Sequence, residues 1–241
     1  MKFHPSKCYT ISIGTKKNTI HYDYSMLNEP LEHIENVPYL GVHINHKLDW
    51  GGHINRTVAK ANRSLGYITR NLQTCPQNIK AQAYMTLVRP ILEYAGTAWD
   101  PHHQKHIDKL EQVQRKAARF VTNCRSREPG SVTQAMHTLK WQPPAQRREH
   151  TRLKLLYQIV NDIKTTLKIP DHIANKRSEN STRTRNYHTQ KFMQPRTRTD
   201  IYKYSFFPRT VTQWNNLPNS VINCCSLETF SSSLNSKIVI S

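Results

Sequence analysis

The chain has 241 residues, which allows one large domain or two small ones with a buried core. Hydrophobic residues make up 37%, below the usual share, and 35 Lys and Arg residues against 16 Asp and Glu residues give a net charge of +19. A field of this sign attracts polyanions, of which nucleic acid is the first candidate and anionic membrane the second. A generally basic, soluble surface stays open as the alternative.

The apolar segments and the cysteines exclude further classes. No stretch approaches 18 apolar residues, and no apolar run follows the charged N-terminus, so we expect neither a transmembrane span nor a signal peptide. The five cysteines are scattered and form no C-x-x-C pair, which indicates neither a zinc site nor a disulfide framework. We therefore expect an intracellular protein, nuclear or cytoplasmic, with no membrane partner.

Residues 8 to 44 have the alternation of short strands. "CYTISIG" and "NTIHYDY" alternate, "PLEHIEN" is a weaker extended piece, and "VPYLGVHI" is a fourth strand candidate. The pattern predicts a small antiparallel sheet, which would be marginal on its own.

Helical periodicity begins near residue 52. Apolar residues at steps of three and four predict helices over 53–72, 77–98, 103–124, 131–139 and 145–163. Pro90 must kink or split the second of these. The fold class predicted is α+β, a short N-terminal β element followed by a mostly helical region.

The remaining chain is basic and then apolar again. Residues 164 to 205 are poor in aliphatic residues and predict a long loop or disorder. A weak final helix, over 227–234, follows Ser226 as a possible cap. The predicted domains are 1–48 (β-rich), 49–168 (helical), 169–205 (basic and flexible) and 206–241 (a small C-terminal element).

No catalytic constellation is apparent. Two-metal nucleotidyl transfer needs paired aspartates, and the sequence has no Asp-Asp pair. "WDPHHQKH" brings together Asp100, His102, His103 and His106, but a solvated helix start accounts for it better than a metal site. We predict no metal ligands, no cofactor and no small-molecule substrate.

Basic residues cluster on two predicted helices. The nucleic-acid-binding candidates, which we expect to line one groove for duplex backbone, are Lys109, Arg115, Lys116, Arg119, Arg147, Arg148 and Arg152. The segment "TRTRNYHTQKF" interleaves Arg183, Arg185 and Lys191 with aromatic residues, a pattern that suits phosphate contact together with base stacking. An ordinary solvated face for each cluster, and a basic linker for the segment, stay open as alternatives.

Six segments in order resemble one family. "KFHPSKCYTISI", "YLGVHINHKLDWGGHI", "LVRPILEYAGTAWDP", "KLEQVQRKAARFVTN", "LKWQPPAQRREHTRLKLLYQIV" and "FFPRTVTQWNNLPNSV" resemble the C-terminal part of a non-LTR retrotransposon reverse transcriptase of the jockey type. The resemblance covers nearly the whole chain.

The resemblance implies a role for each piece. Lys7 of "PSKC" matches the motif lysine after the catalytic turn, Tyr39, Leu40, Gly41 and Val42 match the primer-grip hairpin at the palm edge, and residues 53 to about 125 match the thumb. In the family, the catalytic aspartates that hold Mg²⁺ in the parent enzyme precede that lysine. In this chain only six residues precede Lys7, and none of them is an aspartate. The family is an RNA-directed DNA polymerase, whereas we expect this chain to be inactive alone, as a fragment that holds an RNA/DNA primer–template duplex.

Two other readings stay open. One is an inactive remnant or helical interaction module with no nucleic-acid role, and the other is a stand-alone nucleic-acid-binding protein in host use. Salt-dependent binding to an RNA/DNA hybrid separates the binding readings from the inert one.

Overall fold

A computed structural model of the chain describes residues 4–14, 22–126, 128–163, 165–174 and 190–236. Its strands are β1 (Tyr9–Thr10), β2 (Ser25–Met26), β3 (Glu29–Pro30), β4 (Glu32–His33), β5 (Asn36–Tyr39) and β6 (Val42–Asn45). The longer helices are α1 (Gly51–Asn71), α2 (Gln77–Leu87), α5 (Gln104–Val121), α6 (Ser131–Thr138), α7 (Pro144–Val160), α10 (Phe206–Asn215) and α12 (Leu227–Ser236). The short ones are α3 (Arg89–Glu93), α4 (Gly96–Trp99), α8 (Asp171–Ala174), α9 (Asp200–Lys203) and α11 (Asn219–Ile222). The α+β class is confirmed.

The chain divides into two compact units. Unit 1 comprises residues 1–95 and 103–135, and unit 2 comprises residues 96–102 and 136–241. These boundaries differ from those of the domains predicted from the sequence. Residues 96–102 lie within the predicted helical domain, 49–168, but belong to unit 2 with residues 136–241. Residues 206–236 likewise share one core with α7.

The β region of unit 1 differs from the single antiparallel sheet that the sequence predicted. It consists of three two-stranded ladders, and β1 pairs with β4 in parallel. "VPYLGVHI" is not one strand but a hairpin, in which β5 and β6 are antiparallel. In residues 4–14 and 22–48, Val42 alone is buried, so little apolar burial supports longer strands.

The core of unit 1 is helical. Ile54, Ala61, Leu65 and Ile68 follow one face of α1 and are buried. On α5 the buried face includes Leu110, Val113 and five further residues, His106, Gln114, Ala117, Ala118 and Val121. The two helices pack together and run in the same direction, since Gly51 lies beside His106 and Asn55 beside Lys109. The apolar periodicity that predicted both helices therefore corresponds to a buried face on each.

Helix boundaries in unit 1 follow local chemistry. Asp49 accepts a hydrogen bond from the N–H of Gly51 at 3.0 Å, which places a carboxylate at the positive end of α1. Pro90 splits the predicted helix over 77–98 into α2 and α3, as proline's missing N–H requires.

Unit 2 is built around α7. Leu153, Leu156 and Tyr157 of α7 pack with Val211, Trp214, Phe230 and Leu234 from α10 and α12. Ser226 caps α12, because its Oγ accepts from the N–H of Thr229 at 3.2 Å. The predicted loop over 164–205 is wrong in part: Ile173 and Phe192 are buried in this core, and residues 200–203 form α9. Residues 175–189, with Arg183 and Arg185, lie outside the described residues.

Candidate nucleic-acid interface

Helix α1 presents one straight basic face to solvent. Arg56, Lys60, Arg63, Tyr67 and Arg70 are exposed and follow one another at steps of four and three, so they share one side of the helix. The helix sequence, "GGHINRTVAKANRSLGYITRN", contains no acidic residue. Tyr67 is 61% exposed, which leaves an aromatic ring among the four cations. This set is called the α1 face below.

The α1 face has the dimensions of a short stretch of nucleic acid. Arg56 and Arg70 are fourteen residues apart, which is about 21 Å at the helical rise of ~1.5 Å per residue. Phosphates in one strand follow at about 3.4 Å, so the face spans roughly six of them. Cations and an aromatic ring on one face suit phosphate contact together with base stacking.

Helix α5 adds a second basic edge beside the first. Lys105, Lys109, Arg115 and Lys116 are exposed and Arg119 is half-buried, so four predicted residues lie where they can meet a ligand: Lys109, Arg115, Lys116 and Arg119. The Lys109 Nζ donates to Asn55 Oδ1 of α1 at 2.6 Å. This bond places Lys109 of α5 next to α1, and α5 itself also carries two acidic residues, Asp108 and Glu111.

The other predicted arginines are placed differently. Arg147, Arg148 and Arg152 lie on α7 in unit 2 and are only 8%, 2% and 1% exposed. Their inclusion in an exposed groove is wrong. Arg147 Nη1 donates to the Gln142 carbonyl oxygen, and a buried carboxylate holds the other two arginines. The Asp100 carboxylate lies against the guanidinium of Arg148 at 2.6 Å, against that of Arg152, and against Arg209 Nη1 at 3.2 Å.

This Asp100 cluster is a charge centre of the unit 2 interior. Burial and the charge of Arg209 lower the pKa of Arg152, while the contacting carboxylate favours its charged form. Burial also lowers the pKa of Arg209, and nearby Glu149 opposes that shift. Arg209 Nη1 further donates to the carbonyl oxygens of Asp100 and Pro101, at 3.1 and 3.4 Å. The cluster therefore joins the segment after α4 to α7 and α10.

The hairpin lies where the family resemblance puts a primer grip. Leu40 and Gly41 form a two-residue turn with φ of +45° and +80°, the backbone signs of a type I′ turn. Tyr39 and Leu40 are 62% and 73% exposed, whereas Val42 is buried. The Tyr94 hydroxyl donates to the Leu40 carbonyl oxygen at 2.9 Å and ties the turn to the end of α3. Lys7 is exposed in a single 3₁₀ turn, Pro5–Lys7.

The histidine-rich segment has separate environments for its members. The His102 ring stacks on Tyr204 in unit 2, with centroids 3.9 Å apart. His106 is buried in unit 1 beside Gly51, and burial lowers its pKa. Among the residues that the structure describes, no group of three or more His, Cys, Asp or Glu side chains is placed to hold a metal ion. Within the same residues, no helix has the length and apolarity needed to cross a bilayer.

The α1 face was not among the binding sites predicted from the sequence. The sequence shows that α1 carries cations beside its apolar stripe. It does not show that these cations stay exposed once the stripe packs on α5. The signal that finds them is the step of four and three shared by Arg56, Lys60, Arg63 and Arg70, with no acidic residue between them.

Comparisons with protein-family models, with curated proteins and with solved structures give no match for this chain.

Proposed function

We propose that unit 1 holds the backbone of a nucleic-acid duplex against the α1 face and the adjoining edge of α5. The observation that carries this proposal is the α1 face itself, four aligned cations and an exposed tyrosine on a helix without a carboxylate. Contacts to phosphate carry little sequence information, so the binding is indifferent to base sequence. It weakens with salt because neutralised phosphates release counterions.

The duplex proposed is an RNA/DNA primer–template, and the chain is proposed to be the palm-edge and thumb part of a jockey-type RNA-directed DNA polymerase. The resemblance of the six segments supports this identity. The hairpin at Tyr39 to Val42 and the helices that follow it agree with the order that the resemblance implies. The inactive remnant or helical interaction module is the competing proposal, and it requires that the basic face binds no nucleic acid.

A triple substitution on the basic region tests the function. Arg63, Arg70 and Lys116 are exposed, so changing all three to Gln removes charge without opening the core. If about four phosphates are engaged, log K for an RNA/DNA hybrid falls with log[salt] at a slope of roughly −3.5, and the variant has a slope shallower by about one to three units. Fluorescence anisotropy over a salt series measures both slopes.

The matched control removes the same charge from unit 2. Arg196, Arg198 and Lys203 are also exposed, and their change to Gln is expected to leave slope and affinity close to those of the unaltered protein. Equal losses in both triple variants mean diffuse attraction and contradict a defined surface. Absence of salt-dependent binding in the unaltered protein favours the inactive remnant.

A further inference from the structure

A groove of about 520 Å³ lies in unit 1 between the hairpin turn, α1 and the end of α3. Leu40 and Tyr94 form one side, and their hydrogen bond fixes the distance between the turn and α3. Residues from β6 and α1 form the other side: His43, His53, Arg56, Thr57 and Lys60. Its volume is in the range of small-ligand sites, roughly 300–1,000 Å³.

The lining of this groove is cationic. Arg56 and Lys60 bring two fixed positive charges, His43 and His53 bring two imidazoles, and none of the described residues that line the groove is acidic. A groove with this lining favours an anion. Because Arg56 and Lys60 also belong to the α1 face, the groove is the end of that face nearest the hairpin.

The neighbouring elements use their charges elsewhere. On α3, Arg89 pairs with Glu93 at 2.9 Å. Asp49, before α1, accepts from Gly51 and acts on His106 of α5. Lys109 of α5 donates to Asn55, and Lys80 of α2 donates to Asn123 at 2.8 Å. The positive charge of the groove is therefore not cancelled by these groups.

His53 is the group that responds to an anion. It is 5% exposed, its Nδ1 accepts from the backbone N–H of His43 at 3.3 Å, and its Nε2 is 3.4 Å from Thr57 Oγ1. Burial first, and then His43, lower the pKa of His53, so the imidazole is mainly neutral at pH 7. A dianion in the groove favours the protonated imidazole and shifts this pKa upward. The proton goes to Nδ1, which then is a donor, so the hydrogen bond from the His43 N–H breaks as the proton is taken up.

We propose that the groove binds a phosphomonoester, the terminal phosphate of a nucleic-acid strand lying along α1, and that His53 takes up a proton as it binds. A phosphomonoester carries close to two negative charges near pH 7, whereas an internal phosphodiester carries one, so two fixed cations and a protonatable imidazole favour the strand end. Tyr94 offers a ring to the terminal sugar or base opposite the cations. The proposal depends on the proposed function only for the source of the phosphate.

Isothermal titration of the full chain with adenosine 5′-monophosphate tests the groove, with adenosine as the probe that lacks phosphate. The monophosphate is expected to bind and adenosine is not. Proton uptake makes the binding about threefold tighter at about pH 6.5 than at about pH 7.5, within the tenfold ceiling set by one proton per ligand. Absence of monophosphate binding, or equal binding of adenosine, overturns the proposal.

Three variants locate the effect. Lys60→Gln, at an exposed position, is expected to weaken monophosphate binding several-fold. His53→Gln is expected to remove the tightening at about pH 6.5 and to leave only the small opposite effect of the phosphate's own pKa of about 6. His137→Gln, exposed on α6, is the matched control and leaves both unchanged. Circular dichroism checks the fold of each variant, and Lys60→Gln keeps the test decisive if His53→Gln unfolds. An unaltered pH dependence in folded His53→Gln contradicts the assignment of the proton to His53.

Duplexes with different ends separate the sources of the phosphate. An RNA/DNA hybrid of about twelve base pairs, twice the span of the α1 face, is prepared with 5′-phosphates, with 3′-phosphates or with hydroxyls at every end. One phosphorylated duplex is expected to bind tighter than the hydroxyl duplex, and Lys60→Gln removes the difference. Equal binding of all three duplexes overturns the strand end as ligand and leaves the proposed function intact. Monophosphate binding without any duplex binding overturns the proposed function and leaves the groove intact.

Discussion

Single residues carry unusual weight in the interior of unit 2, where Asp100 contacts three arginines. Arg148 and Arg152 are almost fully buried, and their neighbouring carboxylate is itself only 6% exposed. Two buried charges of one sign are unfavourable without a counter-charge, because no electrostatic attraction offsets the free energy of their desolvation. Asp100 therefore stabilises unit 2 through its charge as well as through hydrogen bonds.

Asp100→Asn is expected to lower the free energy of unfolding by about 3–5 kcal/mol, because it leaves buried guanidinium groups uncompensated. Urea denaturation followed by circular dichroism measures the change. Asp162→Asn is the matched control: Asp162 is exposed, and its φ of +56° is one that Asn also adopts, so a change within about 0.5 kcal/mol is expected. A similar small loss for Asp100→Asn would show that the cluster contributes little.

Among whole elements, α1 and α5 determine both the core of unit 1 and its basic surface. The buried stripe of each helix fixes its rotation, and the opposite side is then exposed. Leu110 has no exposed surface, and Leu65, Ile68 and Val113 are at most 5% exposed. The same packing that buries these residues presents the α1 face to solvent.

Leu110→Ala is expected to cost about 2–5 kcal/mol of unfolding free energy, since it leaves a cavity in a closely packed core. The shift of the urea midpoint measures this cost. Leu87→Ala makes the same chemical change at a side chain that is 50% exposed, and a much smaller shift is expected there. Equal shifts for the two variants would contradict the core position of Leu110.

At the scale of the molecule, two units with their own cores predict that damage stays local. Hydrogen exchange read by mass spectrometry is expected to become faster in residues 51–95 and 103–121 for Leu110→Ala, and in residues 144–160 and 206–236 for Asp100→Asn. The reason is that Leu110 lies on the buried face of α5 in unit 1, whereas the Asp100 carboxylate contacts arginines of unit 2. Faster exchange throughout the chain in either variant would mean that the two units unfold together.

Much of the helical part was predictable from the sequence. The apolar steps of three and four located α1, α5 and α7 to within three residues at each end, and Pro90 gave the break between α2 and α3. The strands were less predictable: β1 has two residues where seven alternated. Alternation specifies a strand when one face is buried, and the β region buries only Val42 among its described residues.

The sequence by itself determined the net charge, the α+β class and the helix faces, because composition and periodicity are local properties of the chain. Only the tertiary structure decided which cations are exposed. Arg63 and Arg148 both lie in basic helical segments, yet one faces solvent and the other meets Asp100, 48 residues away in the sequence. No periodicity within α7 encodes that carboxylate, because burial of a charge depends on a counter-charge that only the folded chain brings near.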